Sequence, residues 1–435
     1  MHTDEHVTKA DQADSHGLSE KKGWKKWRKP QRIFAVTSLL VCVLLAALFF
    51  GVRFSPATAA FISDIPGLAK LVEEIREDDW LRQAAKHGMI QEVGVSAEVG
   101  EVRLRIDEML ADQRRMLIFY TITHEQPNHE LSLRSVELLD PSAGKLEAAI
   151  SWGYSMNQYG EARDRIEVSL YGEQELPDSL LVRGIVEVDQ VAMDTPVELA
   201  IPIDKERAMI NKEIIYPVNQ EVTVDEQRFT VERITAFPTQ TEVSIRFDPA
   251  NTKKIFGFDQ LRLVDQDGKS YAFWGNGVPE RDDGEDGVIY HLESIYFTNP
   301  DELVLQADGI RALDKEKLEV VIDAASGTFR KKPDDRLHLR DLRLAEDVVG
   351  IDYSLTMAAA DSKQFYNLFS ELRDDQGNEY ESVSSSASSD YQSDNRHLYS
   401  DTFRRISPHN PPGELRFTLT NYPTRLSEGF RVQIQ

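Results

Sequence analysis

DQLRLVDQDGKSYAF, residues 259–273, alternates apolar and polar side chains up to an Asp-Gln-Asp-Gly turn and then resumes the alternation. A period of two puts successive side chains on opposite faces of a strand, and an acidic-Gly pair between two such runs marks a β-hairpin. The same pattern recurs as SVELLDPSAGKLEAA (135–149) and SELRDDQGNEYESV (370–383). The three turn glycines, Gly144, Gly268 and Gly377, lie 124 and 109 positions apart. A second marker keeps step with them. Pro177-Asp-Ser-Leu180, Pro300-Asp-Glu-Leu303 and Pro412-Gly-Glu-Leu415 have prolines 123 and 112 apart.

Each repeat opens with a pair of alternating strands: EVRLRI (101–106) with RMLIFYTI (115–122), RFTVERI (228–234) with EVSIRF (242–247), and HLRDLRL (338–344) with IDYSLT (351–356). Each is expected to close with one more: VELAIPI (197–203), LEVVI (318–322) and FRVQI (430–434). Repeats of roughly 100 to 120 residues with about seven strands predict a mainly β chain of three tandem Ig-like β-sandwich domains, at 90–205, 210–330 and 335–435. Val102, Leu104 and Ile106, and likewise Val243, Ile245 and Phe247, are the inward-facing positions such packing requires. No Cys–Trp–Cys hallmark is present, so the expectation concerns architecture and not antibody ancestry.

Upstream of the repeats the character changes. IFAVTSLLVCVLLAALFFGV, Ile33 to Val52, carries no charge over 20 residues. As a helix it would span about 30 Å, the hydrocarbon thickness of a bilayer. Lys21, Lys22, Lys25, Lys26, Arg28, Lys29 and Arg32 precede it, while Arg53 alone follows closely. Positive-inside then predicts a single-pass protein with residues 1–32 as a basic cytoplasmic tail and the C-terminal body extracytoplasmic. Trp24 and Trp27 suit the headgroup level. Ala57-Thr58-Ala59 resembles a signal-peptidase site, but the apolar run is too long and begins too late for an ordinary cleaved signal. Residues 54–89 are expected to be juxtamembrane helix, with Asp64 as cap, Leu68, Leu71, Val72 and Ile75 on one face, and Gly88 as the stop.

Charge divides along the same line. Residues 1–53 hold nine basic and five acidic groups, whereas 54–435 hold 41 basic and 69 acidic, a net −28. So acidic a body is repelled by nucleic acid and by anionic headgroups, which excludes nucleic acid as a partner. The single cysteine, Cys42, lies in the apolar run, so the body has neither disulfide nor thiolate metal site.

Ser55-Pro56, Ile65-Pro66-Gly67, Asp79-Trp80-Leu81, Gly88, Gln91 and VRLRIDEMLADQRRMLIFYTI (102–122) resemble a bacterial ectodomain of the domain-of-unknown-function 4179 type, found mainly in Firmicutes. The resemblance is best over 54 to about 205. Residues 213–330 look like the Ig-like domain of unknown function that commonly follows it. It implies an extracytoplasmic region similar to that of anti-sigma factors. The chain departs from that pattern in its cytoplasmic part, which has His2, His6 and His16 but no cysteine for zinc. About 32 residues hardly bury a core able to grip a sigma factor.

No GxSxG, HExxH, P-loop or CxxC is present, so no catalytic residue and no cofactor are expected. Gly268-Lys269-Ser270 has Leu263 where a phosphate loop needs glycine, and Asp265-Gln-Asp267-Gly268 lacks the distal Glu of a calcium loop, position 274 being Trp. Both read as the hairpin turn with Asx hydrogen bonds. Asp282, Asp283, Glu285 and Asp286 form a candidate weak calcium loop, set against a solvated loop. His124 and His129 with Glu125 and Glu130 are a candidate metal group. Ser382 to Ser393 reads as a flexible loop. The expectation is a membrane-anchored extracytoplasmic sensing or binding protein with an envelope ligand or protein partner outside and a cytoplasmic regulator at the tail. The alternative is a structural envelope protein, an adhesin-like spacer without signalling.

Overall fold

The computed structural model describes residues 79–435 except 143, 154–158, 172–174, 209–211, 273–279, 346, 359–360, 362–363, 391–394 and 407–411. The expected tail, membrane helix and most of the juxtamembrane helix, together with Trp274, lie outside the described residues. Among those described, no helix is long and apolar enough to cross a membrane. Among the described residues the fold is mainly β, 62% strand against 5% helix, and every strand pairing is antiparallel. The described residues fall in one compact unit, Glu73–Gln435, which contains three hydrophobic cores.

Helix α1 (Asp79–Lys86) leads into the first block, and Gly88, at φ +72°, ends it as expected. The block comprises β1 (Ile90–Val99), β2 (Val102–Ala111), β3 (Arg115–His124), β4 (Leu131–Asp140), β5 (Gly144–Lys145), β6 (Ala148–Trp152), β7 (Glu161–Leu170), β8 (Ser179–Val188), β9 (Val191–Ala192) and β10 (Val197–Pro202). One sheet runs β1-β2-β3-β7-β6 and the other β10-β8-β4-β5, with β9 on β8. Val102, Leu104 and Ile106 point into the core between them, as the alternation predicts, against Leu131, Leu133, Val182 and Leu199.

A short helix, α2 (Lys205–Ala208), precedes the second block. This block comprises β11 (Ile214–Val224), β12 (Gln227–Ala236), β13 (Thr241–Phe247), β14 (Lys253–Asp259), β15 (Arg262–Asp265), β16 (Ser270–Tyr271), β17 (Glu280–Asp282), β18 (Gly287–Leu292), β19 (Leu303–Ala307) and β20 (Gly309–Asp314). The third contains β21 (Glu319–Asp323), β22 (Thr328–Lys331), β23 (Leu337–Leu344), β24 (Val348–Thr356), β25 (Phe369–Asp374), β26 (Glu379–Ser389), β27 (Arg396–Arg405) and β28 (Glu414–Leu419). The last strand of the chain is β29 (Phe430–Gln433).

Two of the three hairpin turns share one geometry. Asp265 Oδ1 accepts from the amides of Asp267 and Lys269 at 3.0 and 2.8 Å, and Asp374 Oδ1 from those of Gln376 and Asn378, both at 2.9 Å. Asp140 Oδ1 accepts from Ser142 at 2.7 Å. Tyr271 and Tyr380, each six residues after its aspartate, donate their hydroxyls to Oδ2 of Asp265 and Asp374.

The closing strands depart from expectation. LEVVI, read as the end of the second repeat, is β21 and pairs with β28 in the eight-stranded sheet of the third block. FRVQI, read as the end of the third, is β29 and pairs with β19 of the second, contributing Phe430 and Val432 to its core. The two strands are exchanged. The reason is reach. Only four residues separate β20 from β21, and a five-residue strand covers roughly 17 Å. Folding back directly, β21 would end beside β20 and leave the edge of β19 bare. The segment 424–433 covers the whole edge instead. Ala312 donates to the Thr424 carbonyl (3.0 Å), Leu426 donates to that of Ile310 (2.9 Å), and Val304 to Ala307 then pair with Gln433 to Phe430.

The ribbon β14-β20 adds a second link, because its two faces serve different cores. Ile255, Phe258, Ile310 and Ala312 face the second core, whereas Phe256 and Leu313 belong to the third. Arg425 ties the same seam, donating to Asp259 of β14 and, at 2.7 Å from Nη1, to the buried Asp361.

Gly429 permits the return. A Cβ there would sit 2.0 Å from the Ala307 carbonyl oxygen, a backbone atom that cannot swing aside. Gly429→Val should therefore unseat β29 and cost roughly 3 kcal/mol. Hydrogen exchange should show protection lost along β19 while β28, partnered by β21, keeps its own.

Candidate functional site

The first block has an open flank where β6, the edge of one sheet, faces β4 of the other. A cleft of about 710 Å³ lies there, lined by Leu133, Arg134, Ser135, Trp152, Glu187 and Gln190. Each wall has a local cause. The β4–β8 register slips between Leu133 and Ser135, so Arg134 is the extra residue of a bulge, a device that re-aims a side chain. Its Nη1 donates to Glu187 Oε1 at 2.5 Å, and Ser132 Oγ donates to Oε2 at 3.2 Å. Glu187 is thereby buried with its charge met, while the Arg134 side chain stays 61% exposed. Trp152 is pinned from the other sheet, its Nε1 donating to the Leu133 carbonyl at 2.9 Å. Gln190 comes from the β8–β9 turn, where Asp189 and Gln190 hold φ of 50° and 65°.

The histidine pair of the sequence adjoins this cleft. His124 and His129 pack with ring centroids 4.3 Å apart, and His129 Nδ1 lies 2.7 Å from Asp189 Oδ2. That bond and the Glu130 amide, which donates at 2.9 Å, hold the Asp189 carboxyl below its ordinary value. His124 Nδ1 accepts from the Gln126 amide at 3.0 Å. These contacts engage Nδ1 of each ring, and among the described residues no three His, Cys, Asp or Glu are grouped to hold a metal. The same holds for the candidate calcium loop. Asp282 ends β17, Asp283 to Asp286 form the turn into β18 with Gly284 at φ +79°, and Arg246 approaches Asp283 at 3.8 Å. Exposed Tyr159 and Val191 complete this end of the block, Tyr159 bridging to Glu130.

A second constellation lies where the first block meets the second. The Asp112 carboxylate is 1% exposed and accepts four hydrogen bonds, from the Thr239 amide (2.9 Å) and hydroxyl (2.7 Å) and from the amides of Arg114 (2.8 Å) and Arg115 (3.0 Å). Burial still pushes its pKa up against those four donors. Nearby, buried Glu242 faces Arg114 at 3.5 Å, Arg281 at 3.6 Å and His291 at 3.7 Å. Burial pushes Glu242 up, but His291 and the two guanidiniums outweigh it and leave it below the ordinary glutamate value. Helix α1 contacts both blocks. Arg115 lies over Trp80 at 5.5 Å, and His87, just past the helix, stacks on Phe297 at 4.5 Å. Leu81 and Ala84 are fully buried.

The resemblance read from the sequence is met by two family models. Residues 29–124 match a domain of unknown function (DUF4179), and residues 213–332 match a family of unknown function (DUF5643). A comparison with curated proteins finds no match. Among solved structures, "the conserved domain protein from Bacillus anthracis" is similar at 10% identity over 56% of this chain and 84% of that one, with a TM-score of 0.38. The DUF5643 match contains β21, which here docks outside the second block, and stops well before β29, which completes it.

The cleft residues were not singled out in the sequence. They come from three separate strands and a turn, and their one local signal is a tryptophan ending a short strand. The two buried carboxylates of the junction titrate in opposite directions. Glu242, with its folded value lowered, contributes stability that is full above about 4.5 and is lost as pH falls through the lowered value. Asp112, shifted upward, works the other way. Glu242→Gln should flatten the loss of stability between roughly pH 5 and 3, while Asp112→Asn should not. Denaturant unfolding across that range measures both slopes.

Proposed function

We propose that the chain is a single-pass membrane protein which presents three Ig-like sandwiches outside the cell. In this reading the first sandwich binds a polar envelope component in the Trp152 cleft. The cleft carries the reading. It offers an aromatic wall, an exposed guanidinium fixed by a buried carboxylate, and amide and hydroxyl groups that recognise polar matter. Binding is preferred to catalysis because the cleft's one carboxylate is already paired with Arg134, and neither a histidine nor a second carboxylate lines it among the described residues. The uncharged run Ile33–Val52 and the basic residues before it support the membrane topology. The second block is then discontinuous, closed by residues 425–435, with the third inserted before them.

Signalling through the tail belongs to the same proposal. Helix α1 joins the membrane-proximal segment to the junction of the first two blocks, so a change at that junction has a physical route toward the membrane. The tail would act on a cytoplasmic regulator in the manner of proteins related to anti-sigma factors, without their zinc-binding domain. The fusion of the second and third blocks favours the other reading, a structural envelope protein or adhesin-like spacer. A stiff pair of blocks suits a spacer.

Cosedimentation of the detergent-purified protein with isolated cell-wall sacculi tests binding. Wild-type protein is expected in the pellet, and Trp152→Ala is expected to lose roughly tenfold in affinity. Equal sedimentation of both would remove the cleft from the account. For topology, a phosphatase active only outside cells should be active when fused after Gln435 and silent when fused before Met1. Crosslinking from the tail should recover a cytoplasmic protein under the signalling reading and none under the spacer reading.

A further inference from the structure

Of the serine-rich stretch expected to be a loop, Ser382 to Ser393, residues 382–389 are strand, while 391–393 lie outside the described residues. β26 pairs with β27 from Tyr380 to Ser389, in unbroken register from Ser384↔Thr402 to Ser389↔His397. On its other side β25 reaches only Glu379 and Tyr380. Beyond these no strand pairs with that edge among the described residues, and Glu381 to Ser389 are exposed on both faces. A bare edge of six regularly paired residues presents roughly 20 Å of alternating donors and acceptors, the length of an ordinary strand.

Other outer strands of this chain are guarded in the ways that keep edges from pairing. β11 has Pro217 and a bulge between Pro217 and Gln220. β23 has a bulge between Leu339 and Asp341 and carries Arg340, Asp341 and Arg343. β1 is broken between Glu92 and Val95. β26 has its own bulge between Ser382 and Ser384, but from Ser384 to Ser389 it has no charge, proline or bulge, only serine and Ala387. Charge stands at its two ends instead, Glu381 on one side and Asp390, approached by Arg396 at 3.9 Å, on the other.

Those ends choose the occupant. A second copy pairing antiparallel along this edge would bring the Glu381 end of each chain to the Asp390 end of the other. Like charges directly opposite are destabilising, and a body of net −28 adds to the repulsion. A strand with basic residues nine positions apart meets both ends with opposite charge. Small or β-branched side chains between them would fit the serine surface. We propose that the Ser384–Ser389 edge of β26 is a docking site for an extended, basic-flanked peptide segment of another protein, which adds to the third block's sheet as an extra strand.

The probe is a fluorescent decapeptide with lysine at both ends and alternating threonine and valine between, titrated into the detergent-purified full chain. It is expected to bind and to protect the amides of 384–389 from hydrogen exchange. A glutamate-ended version should bind roughly tenfold more weakly, and a version with N-methylated amides should not bind. Glu381→Gln, at an exposed position opposite Arg404, should bring the two charge versions toward equal affinity without setting like charges across the strand pair. Three results would overturn the proposal: unchanged exchange at 384–389, indifference to peptide charge or N-methylation, or a concentration-dependent dimer of the free protein that protects the same amides.

Discussion

The antiparallel seating of residues 424–433 along the β19–β20 edge is the constraint on which the body's organisation rests. Without it the second core lacks Leu426, Phe430 and Val432, and β19 exposes a row of unpaired backbone groups. A fully buried Phe or Val contributes about 1.5–3 kcal/mol, so two of them match a sizeable part of a domain's net stability. Because the segment comes from beyond the third block, the second cannot complete its sheet until the third has brought the chain back. The β14-β20 ribbon, with one face in each core, makes the dependence mutual. Closure across more than a hundred residues is entropically costly and slow. The resulting pair of blocks has little freedom at its seam, and Arg425, spanning Asp259 and Asp361, fills that seam with matched charge.

Much of this body was legible in the residue pattern, and the boundary of legibility has a physical reason. The turns are local: an aspartate accepting the next amides and a glycine at positive φ are written in four adjacent residues, as at Asp265 to Gly268. The opening strand pairs are nearly as local, since a short turn sets their register. LEVVI and FRVQI were correctly marked as strands, FRVQI with alternate side chains buried and LEVVI with Val320, Val321 and Ile322 all buried. Alternation says which side chains face inward, but it carries no information about which edge a strand will take. That choice fell to chain reach, to Gly429 and to the direction in which β20 turns away to meet β14.

The site obeys the same logic. Trp152, Arg134 and Glu187 meet because β6 and β4 lie at the flank of facing sheets and a bulge turns Arg134 toward β8. None of those relations is a sequence motif. The acidic loop at Asp282 to Asp286 and the histidines at 124 and 129 were visible as ligand sets by spacing alone, and the structure adds their neighbours, Arg246 at 3.8 Å from Asp283 and Asp189 at 2.7 Å from His129. Serine composition misled. Serine is poor at burying a face, and β26 buries none beyond Tyr380, yet its backbone is held in strand by β27. Pairing with a well-packed neighbour compensated for weak intrinsic preference.

Placement of the charged junction bears on how the proposed sensing would work. A buried carboxylate is tolerated where donors converge on it, and Asp112 has four from two blocks. Sliding the blocks apart would strip Thr239 from Asp112 and Arg114 from Glu242 together, so intermediate separations would be penalised. Helix α1 is held to both sides of that junction through Trp80 and His87. In that proposal a rigid second seam would make such a switch more effective, because force or ligand applied to the second or third block would not be dissipated there. The same exchange of strands that suits a spacer would therefore also concentrate motion where the first block meets the second.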